Sequence, residues 1–156
     1  MQIKNLPMRI GVGIVVINSK KQVFVAKRKD NPVDKWQMPQ GGVETGENLQ
    51  SAMYRELLEE TSISKIQILK ELNYWLEYEL PKNLVGIIWK GKYRGQRQKW
   101  FIVKYLGKDS EININTKNPE FIEWKWLDIK KLTSVIVDFK KKVYEKLVIE
   151  LEDLTV

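Results

Sequence analysis

Three glutamates that lie close together in the sequence could hold a divalent metal ion. Glu56, Glu59 and Glu60 are three and four residues apart, which places their side chains on one patch of a helix. Like charges at this spacing repel and raise one another's pKa unless a cation or solvent relieves them. Oxygen ligands favour Mg2+ or Mn2+, and a chain without Cys or His is not expected to hold zinc. The same pattern is also found on the solvated faces of ordinary helices.

The residues around the three glutamates favour the metal interpretation. Arg55 precedes them, and Gly41 begins a loop from which a backbone carbonyl could turn toward the same ion. The full spacing is G-x5-E-x7-R-E-U-x-E-E, where U is aliphatic and the first glutamate is Glu47. We expect Glu47 in the first turn of the helix, pointing away from the three glutamates. Its expected role is to orient Arg55 or the loop rather than to bind metal.

The elements that position these residues follow from the hydrophobic pattern. Leu49, Met53 and Leu57 recur every four residues and predict an amphipathic helix from Asn48 to Thr61. A second helix is predicted over 139–151, and the interspersed strands indicate a mixed α/β fold with helices on the faces of a mixed sheet. The predicted strands are 9–17 and 22–27, joined by a hairpin at 18–21, then 66–80, 99–106 and 121–127.

Composition limits the possible classes of protein. With 156 residues, of which 43% are apolar, we predict one domain over 1–156. The absence of His and Cys excludes Ser-His and Cys-His catalysis, so a general base must be a carboxylate, Lys or Tyr. Pro7 and Arg9 interrupt the apolar run over 3–17, and we expect a cytoplasmic protein without a membrane partner. No heptad pattern indicates an obligate oligomer, so we expect a monomer.

A basic segment between Lys82 and Lys108 accounts for much of the net charge of +7. It contains eight Lys or Arg and no acidic residue, and its aromatics include Trp89, Trp100 and Phe101. Such a surface beside an acidic metal site is suited to a polyanion that carries bases. The alternative is that Trp100 and Phe101 are core residues of a strand.

Residues 41–63 fit the signature of the Nudix hydrolases, and the rest of the chain resembles one branch of that family. The branch is the bacterial RNA pyrophosphohydrolases, which are also described as dinucleoside polyphosphate hydrolases. The resemblance implies an α/β/α sandwich around a central mixed sheet and dependence on two or more Mg2+ or Mn2+ ions with substrate bound. It also implies release of pyrophosphate from 5′-triphosphorylated RNA, leaving a 5′-monophosphate that is open to decay nucleases. The matching stretches are RIGVGIVV, WQMPQGG, AMYRELLEE, NYWLEYELPK, GQRQKWF, NPEFIEWKW and DFKKKVYEKL.

The resemblance also implies roles for individual residues. The expected metal ligands are Glu56, Glu59, Glu60, Glu120 of the NPEF loop and the Gly41 carbonyl, with Arg55 beside them. Glu59 is the first candidate for the general base and Glu120 the second. The positions expected near phosphate or ribose are Arg9, Arg28, Tyr78, Gln96 and Lys99, and those expected to stack on a base and contact phosphate are Phe139 and Lys140.

Several alternatives stay open at this point. Glu120 could be a solvated loop acid, and Phe139 could anchor its helix in the core. Ser62 stands where the family has a glycine, so the end of the helix could differ. The substrate could be a dinucleoside polyphosphate of the Ap4A type. The chain could also be an inactive RNA-binding protein, although its intact glutamates count against that.

Overall fold

A seven-stranded mixed sheet forms the centre of the computed structural model, which describes residues 5–30 and 34–154. The order of the main strands is β4-β6-β1-β2-β7, with β3 paired to β1 and β5 paired to β6. β1 and β6 are parallel, and the other pairs are antiparallel. The strands are β1 (Met8–Ile17), β2 (Gln22–Arg28), β3 (Gln40–Gly42), β4 (Ile66–Glu71), β5 (Leu76–Glu79), β6 (Gly95–Tyr105) and β7 (Phe121–Asp128).

The helices cover both faces of this sheet. They are α1 (Leu49–Thr61), the short α2 (Leu132–Val135) and α3 (Lys141–Asp153). Met53 and Leu57 of α1 belong to one buried cluster, which includes Phe101, and Tyr144 of α3 belongs to another, which includes Trp100. The predicted α/β/α arrangement is therefore confirmed. Among the described residues, no helix is both long and apolar enough to cross a membrane.

The central strands are buried on both sides, and this corrects one interpretation of the basic segment. Trp100 and Phe101 are both 0% exposed, on opposite faces of β6, so the expectation that they form part of a binding surface is wrong. A strand covered on both faces reads as a continuous apolar run, without the alternation that would mark a solvated side. The core alternative considered for these two residues is the correct one.

The predicted strands occur with changed bounds. The Asn18 side chain accepts hydrogen bonds from the backbone of Lys20 (3.0 Å) and Gln22 (2.9 Å), which forms the expected hairpin between β1 and β2. The strand predicted over 66–80 is two strands, β4 and β5, and β6 begins four residues before the predicted Lys99. Residues 1–4 and 155–156 of the predicted domain lie outside the described residues, so its extent stays a prediction.

Both ends of α1 are capped, although not as the sequence suggested. The Asn48 side chain accepts a hydrogen bond from the Ser51 backbone at 2.7 Å, so Glu47 precedes the cap and is not in the first turn. Ser62 takes the left-handed conformation (φ 64°) that glycine usually supplies at this position. Its hydroxyl donates to the Asn113 carbonyl at 2.8 Å, which helps to offset the cost of that conformation. The helix end is therefore preserved.

Candidate active site

A cavity of about 660 Å3 lies where α1, β3, the start of β1 and the residues before α3 meet. One wall carries the carboxylates Glu56 and Glu60 of α1 together with Glu120, which directly precedes β7. A second part of the wall carries cations, and a third is apolar. The cations are Arg9, Arg28 and Lys140, and the apolar and aromatic residues are Tyr78, Leu80, Leu84, Ile88, Trp89, Val137 and Phe139. Such a cavity can bind a molecule that combines negative charge with flat apolar groups.

Arg55 organises the acidic wall from behind. Its Nε and Nη2 donate to the two carboxylate oxygens of Glu47 at 2.7 and 2.9 Å, and Nη2 also donates to the Gly42 carbonyl at 2.9 Å. Its Nη1 donates to Glu56 at 2.8 Å. The hydrogen bond from Arg55 lowers the pKa of Glu47 to about 2. The predicted contact between Glu47 and Arg55 is therefore present, and it ties the loop before α1 to the helix.

Glu60 is a buried carboxyl group with one oxygen that has no hydrogen-bond partner among the described residues. It is 4% exposed, and that oxygen is Oε2. Burial raises its pKa well above the ordinary value, and the nearby Glu120 and Glu56 raise it further. Burial also raises the pKa of Glu56, although Arg55 acts in the opposite direction. A cation among these carboxyl groups would relieve both the repulsion and the desolvation.

The backbone beside Glu56 leaves no room for a side chain. A Cβ on Gly41 would lie 2.0 Å from the Glu56 carboxyl carbon and 2.1 Å from one of its oxygens. Gln40, the neighbouring residue in β3, has a buried side-chain oxygen without a hydrogen-bond partner in the described part of the chain. The unpartnered oxygens of Gln40 and Glu60, with no sulfur or imidazole in the chain, fit a hard divalent ion such as Mg2+.

Glu59 lies beside Glu56 on α1 but does not line the cavity. Its side chain is 60% exposed and accepts a hydrogen bond from Arg55 Nη1 at 3.3 Å, outside the cavity wall. One Arg55 nitrogen therefore contacts both Glu56 and Glu59, as expected for neighbours on one helix patch, while the carboxylates that line the cavity are Glu56, Glu60 and Glu120. Within residues 5–30 and 34–154, no three acidic side chains are already arranged as a finished metal site. Arg55 donates hydrogen bonds to Glu56 and Glu59, which offsets part of their mutual repulsion.

Glu120 reaches the cavity because its backbone is attached to the end of β2. The Lys29 backbone donates to the Glu120 carbonyl at 3.0 Å, next to an irregularity in the pairing of β2 and β7 at Lys27 and Arg28. Arg28 in turn binds both oxygens of Asp30 at 2.8 Å. Glu120 is an exposed loop residue, as the alternative of a solvated loop acid describes, but it also lines the cavity and acts on the pKa of Glu60.

Lys140 is a buried cation in the lining of the cavity. It is 6% exposed, and its ammonium donates to Gln37 at 3.3 Å and lies 5.3 Å from the Tyr78 ring centroid. Burial and the proximity of Arg28 lower its pKa to about 7. A bound phosphate would place a negative charge near this ammonium and favour its protonated form.

The remaining expected substrate residues are divided between the cavity and its surroundings. Arg9, Arg28, Tyr78, Phe139 and Lys140 line the cavity. Gln96 is 0% exposed and lies behind the wall, where its side-chain oxygen accepts a hydrogen bond from the Tyr78 hydroxyl at 3.3 Å. Lys99 does not line the cavity, and its ammonium lies 5.5 Å from the Trp75 ring centroid.

Sequence reasoning missed several residues of the cavity. Asp30 and Gln37 are single polar residues whose pairing with Arg28 and Lys140 depends on tertiary contacts, so no local pattern marks them. Trp89 was included only as one aromatic of the basic segment. The apolar residues Leu80, Leu84 and Ile88 could have been noticed in the sequence, because Leu80 precedes Pro81 and the other two follow it. Apolar residues in such an irregular segment need a partner other than the sheet.

Known proteins resemble this chain in sequence over most of its length. A model of the NUDIX domain matches residues 7–147. A protein of Pelagibacter ubique named RNA pyrophosphohydrolase is 62% identical over 141 residues, covering 90% of this chain and 89% of the relative. Another of the same name, from Rhodospirillum rubrum, is 48% identical over 151 residues, covering 97% and 91%.

Solved structures share the fold. The dihydroneopterin triphosphate pyrophosphohydrolase of E. coli has a TM-score of 0.71 at 22% identity, covering 92% of this chain and 99% of that one. An Ap4A hydrolase of C. elegans in a binary complex has a TM-score of 0.65 at 17% identity, with the same coverage. At these identities the likeness concerns the architecture alone.

Proposed function

The chain belongs to the NUDIX family, and from this we propose that it is a metal-dependent hydrolase that removes pyrophosphate from the 5′-triphosphate end of RNA. The product is a 5′-monophosphate, and the proposed consequence is the start of RNA decay. The observation that carries the proposal is the 62% identity, over 90% of the chain, to a relative named RNA pyrophosphohydrolase. A cavity that combines carboxylates, cations and aromatics supports it. We also propose that one NUDIX domain accounts for the whole chain.

Glu56, Glu60 and Glu120 would hold divalent ions, together with the Gly41 carbonyl and with Glu59 if it leaves Arg55. Divalent ions bound there would neutralise phosphate charge and lower the pKa of a water ligand. We propose Mg2+ or Mn2+, with two or more ions when substrate is bound, because the available donors are hard oxygens. Arg55 and Glu47 would keep Glu56 in position against the loop, since both contact the loop and the helix.

The cations of the cavity would bind and orient the phosphates. Arg9, Arg28 and Lys140 line the same cavity as the carboxylates, so they would contact a polyphosphate chain bound there. Their positive charge would stabilise the pyrophosphate as it leaves. Gln96 would act through Tyr78, whose hydroxyl it positions, rather than by touching substrate.

The chain has no histidine, and we propose that a carboxylate removes the proton from the attacking water. Glu59 and Glu120 are the two candidates, and the geometry favours Glu120, which lines the cavity. Glu59 would have to release Arg55 first. The pH dependence of kcat in Glu59→Gln and Glu120→Gln separates the two, because only loss of the base removes the acid limb of the profile.

The test is release of pyrophosphate from 5′-triphosphorylated RNA by the wild type with Mg2+ or Mn2+. Glu60→Gln should lower kcat/KM by about 10²-fold or more while thermal unfolding stays cooperative. Glu123→Gln changes an exposed acid of β7 and should behave as the wild type. Equal rates in Glu60→Gln and the wild type would exclude the assignment.

Competition between triphosphorylated RNA and Ap4A at equal concentration ranks the two substrate classes by kcat/KM. Faster turnover of Ap4A would move the chain to the dinucleoside polyphosphate hydrolases. RNA binding without hydrolysis of either substrate would favour an inactive binding protein.

A further inference from the structure

Trp89 lies in a short segment whose backbone is unfavourable for its residues. Residues 86–91 close on themselves, and Trp89 (φ 54°) and Lys90 (φ 58°) take the left-handed conformation. Gly86 and Gly91 share positive φ angles, which cost glycine nothing. A bulky aromatic residue with positive φ is uncommon, and such strain is concentrated at functional sites. Trp89 lines the cavity together with Ile88, whereas Lys90 does not, and Ile87, two residues before Trp89, is 73% exposed.

The contacts of Trp89 connect it to the phosphate-binding side of the cavity. The Arg9 guanidinium carbon lies 5.1 Å from the Trp89 ring centroid. The same guanidinium lies against Gly42, where a Cβ would meet Nη2 at 2.2 Å. The Gly42 carbonyl accepts a hydrogen bond from Arg55, which holds Glu56. The Arg9 guanidinium therefore lies against both Trp89 and Gly42 of β3, next to the acidic wall.

Phe139 has different neighbours. Its ring centroid lies 5.6 Å from that of Tyr78, and the Lys140 ammonium lies 5.8 Å from it. Each of the two aromatic rings thus lies near a different cation, Arg9 for Trp89 and Lys140 for Phe139. A substrate with two bases near its phosphates could use both surfaces.

We propose that Trp89 supplies a second stacking surface, which binds the base of the 5′-terminal nucleotide while Arg9 binds its phosphates. This inference rests on the proposed function and extends it to a further substrate-binding residue. Phe139 is left for the base of the next nucleotide. Stacking on an indole uses the flat face that every base has, so Trp89 contributes affinity without selecting one base at the first position.

The experiment compares two substrates that differ only at the first base. One is a 5′-triphosphorylated dinucleotide, and the other has an abasic first nucleotide. Trp89→Ala should lower kcat/KM for the complete dinucleotide about tenfold or more, the size of one stacking contact, and should leave the abasic substrate within about twofold. Trp89→Phe should restore most of the difference. Ile87→Ala, in the same segment but exposed, should change neither substrate.

Equal losses on the two substrates would overturn the proposal, because they would indicate a purely structural role for Trp89. Unchanged rates on both would overturn it as well. If the wild type releases no pyrophosphate, the proposed function fails, and the stacking role is decided by calorimetric titration with the same two dinucleotides. A preference of the wild type for the complete dinucleotide that disappears in Trp89→Ala would support it, and identical affinities would refute it.

Discussion

Replacing Lys140 by methionine should stabilise the protein at neutral pH. The ammonium is buried with one long hydrogen bond to Gln37, and burial together with Arg28 lowers its pKa to about 7. Methionine keeps most of the length of the lysine side chain without its charge. It leaves the Gln37 oxygen without a partner, a cost that does not depend on pH. The difference between two pH values therefore isolates the buried charge.

The sign of the pH dependence follows from the two pKa values. In the unfolded chain the lysine pKa is near 10.5, and in the folded chain it is about 7. Between these values the unfolded state binds more protons, so stability rises with pH across this window. At 1.36 kcal/mol per pKa unit, burying the ammonium costs about 4 kcal/mol at pH 7 and about 2 kcal/mol at pH 9. The advantage of Lys140→Met should shrink by about 2 kcal/mol between them.

Urea unfolding of the wild type and Lys140→Met at pH 7 and pH 9 measures this change. Lys142→Met removes an exposed lysine two residues further along the chain, in α3, so its difference from the wild type should be equal at both values. Parallel behaviour of Lys140→Met and the wild type would refute the reasoning. It would mean that Asp30, Glu60 and Glu120 keep the ammonium charged in the folded state despite its burial.

The remaining predictions concern Gly41 of β3 and Ser62 at the end of α1. Gly41→Ala should leave unfolding nearly unchanged, because the flexible Glu56 side chain can move away, and should lower kcat/KM by about 10²-fold through that movement; hydrolysis at the wild-type rate would contradict it. Ser62→Ala keeps the left-handed strain and loses the bond to Asn113, so urea unfolding should show a loss of about 1 kcal/mol. Ser62→Gly loses the same bond but removes the left-handed strain, so its free energy of unfolding should be nearly that of the wild type. A loss of stability as large as that of Ser62→Ala would show that the bond alone matters.

The sequence predicted α1 and the hairpin at Asn18 well because both depend on local interactions. The recurrence of Leu49, Met53 and Leu57 describes the buried side of α1, and the turn side chain satisfies the backbone of its own neighbours. The direction of Glu59 could not be predicted in the same way. Arg55 can bind several carboxylates, and the contacts it makes are decided by the loop it meets across thirteen residues.

Trp89 and Phe101 illustrate two other limits. Left-handed backbone at a tryptophan contradicts local preference, so only the packing of the whole segment could produce it. Phe101 was ambiguous because an aromatic residue in a basic strand suits either a surface or a core. The position of β6 between β4 and β1, with helices on both faces, resolves that ambiguity through topology.

The hydrogen bond between the Lys29 backbone and the Glu120 carbonyl has a mechanical consequence. Arg28 and Glu120 are carried by the adjoining ends of two paired strands, so the sheet spacing determines how far apart their backbones lie. At this end of the sheet, the backbone therefore fixes where the side chains of a positive and a negative residue begin. A bound molecule that contacts both residues must fit that backbone separation.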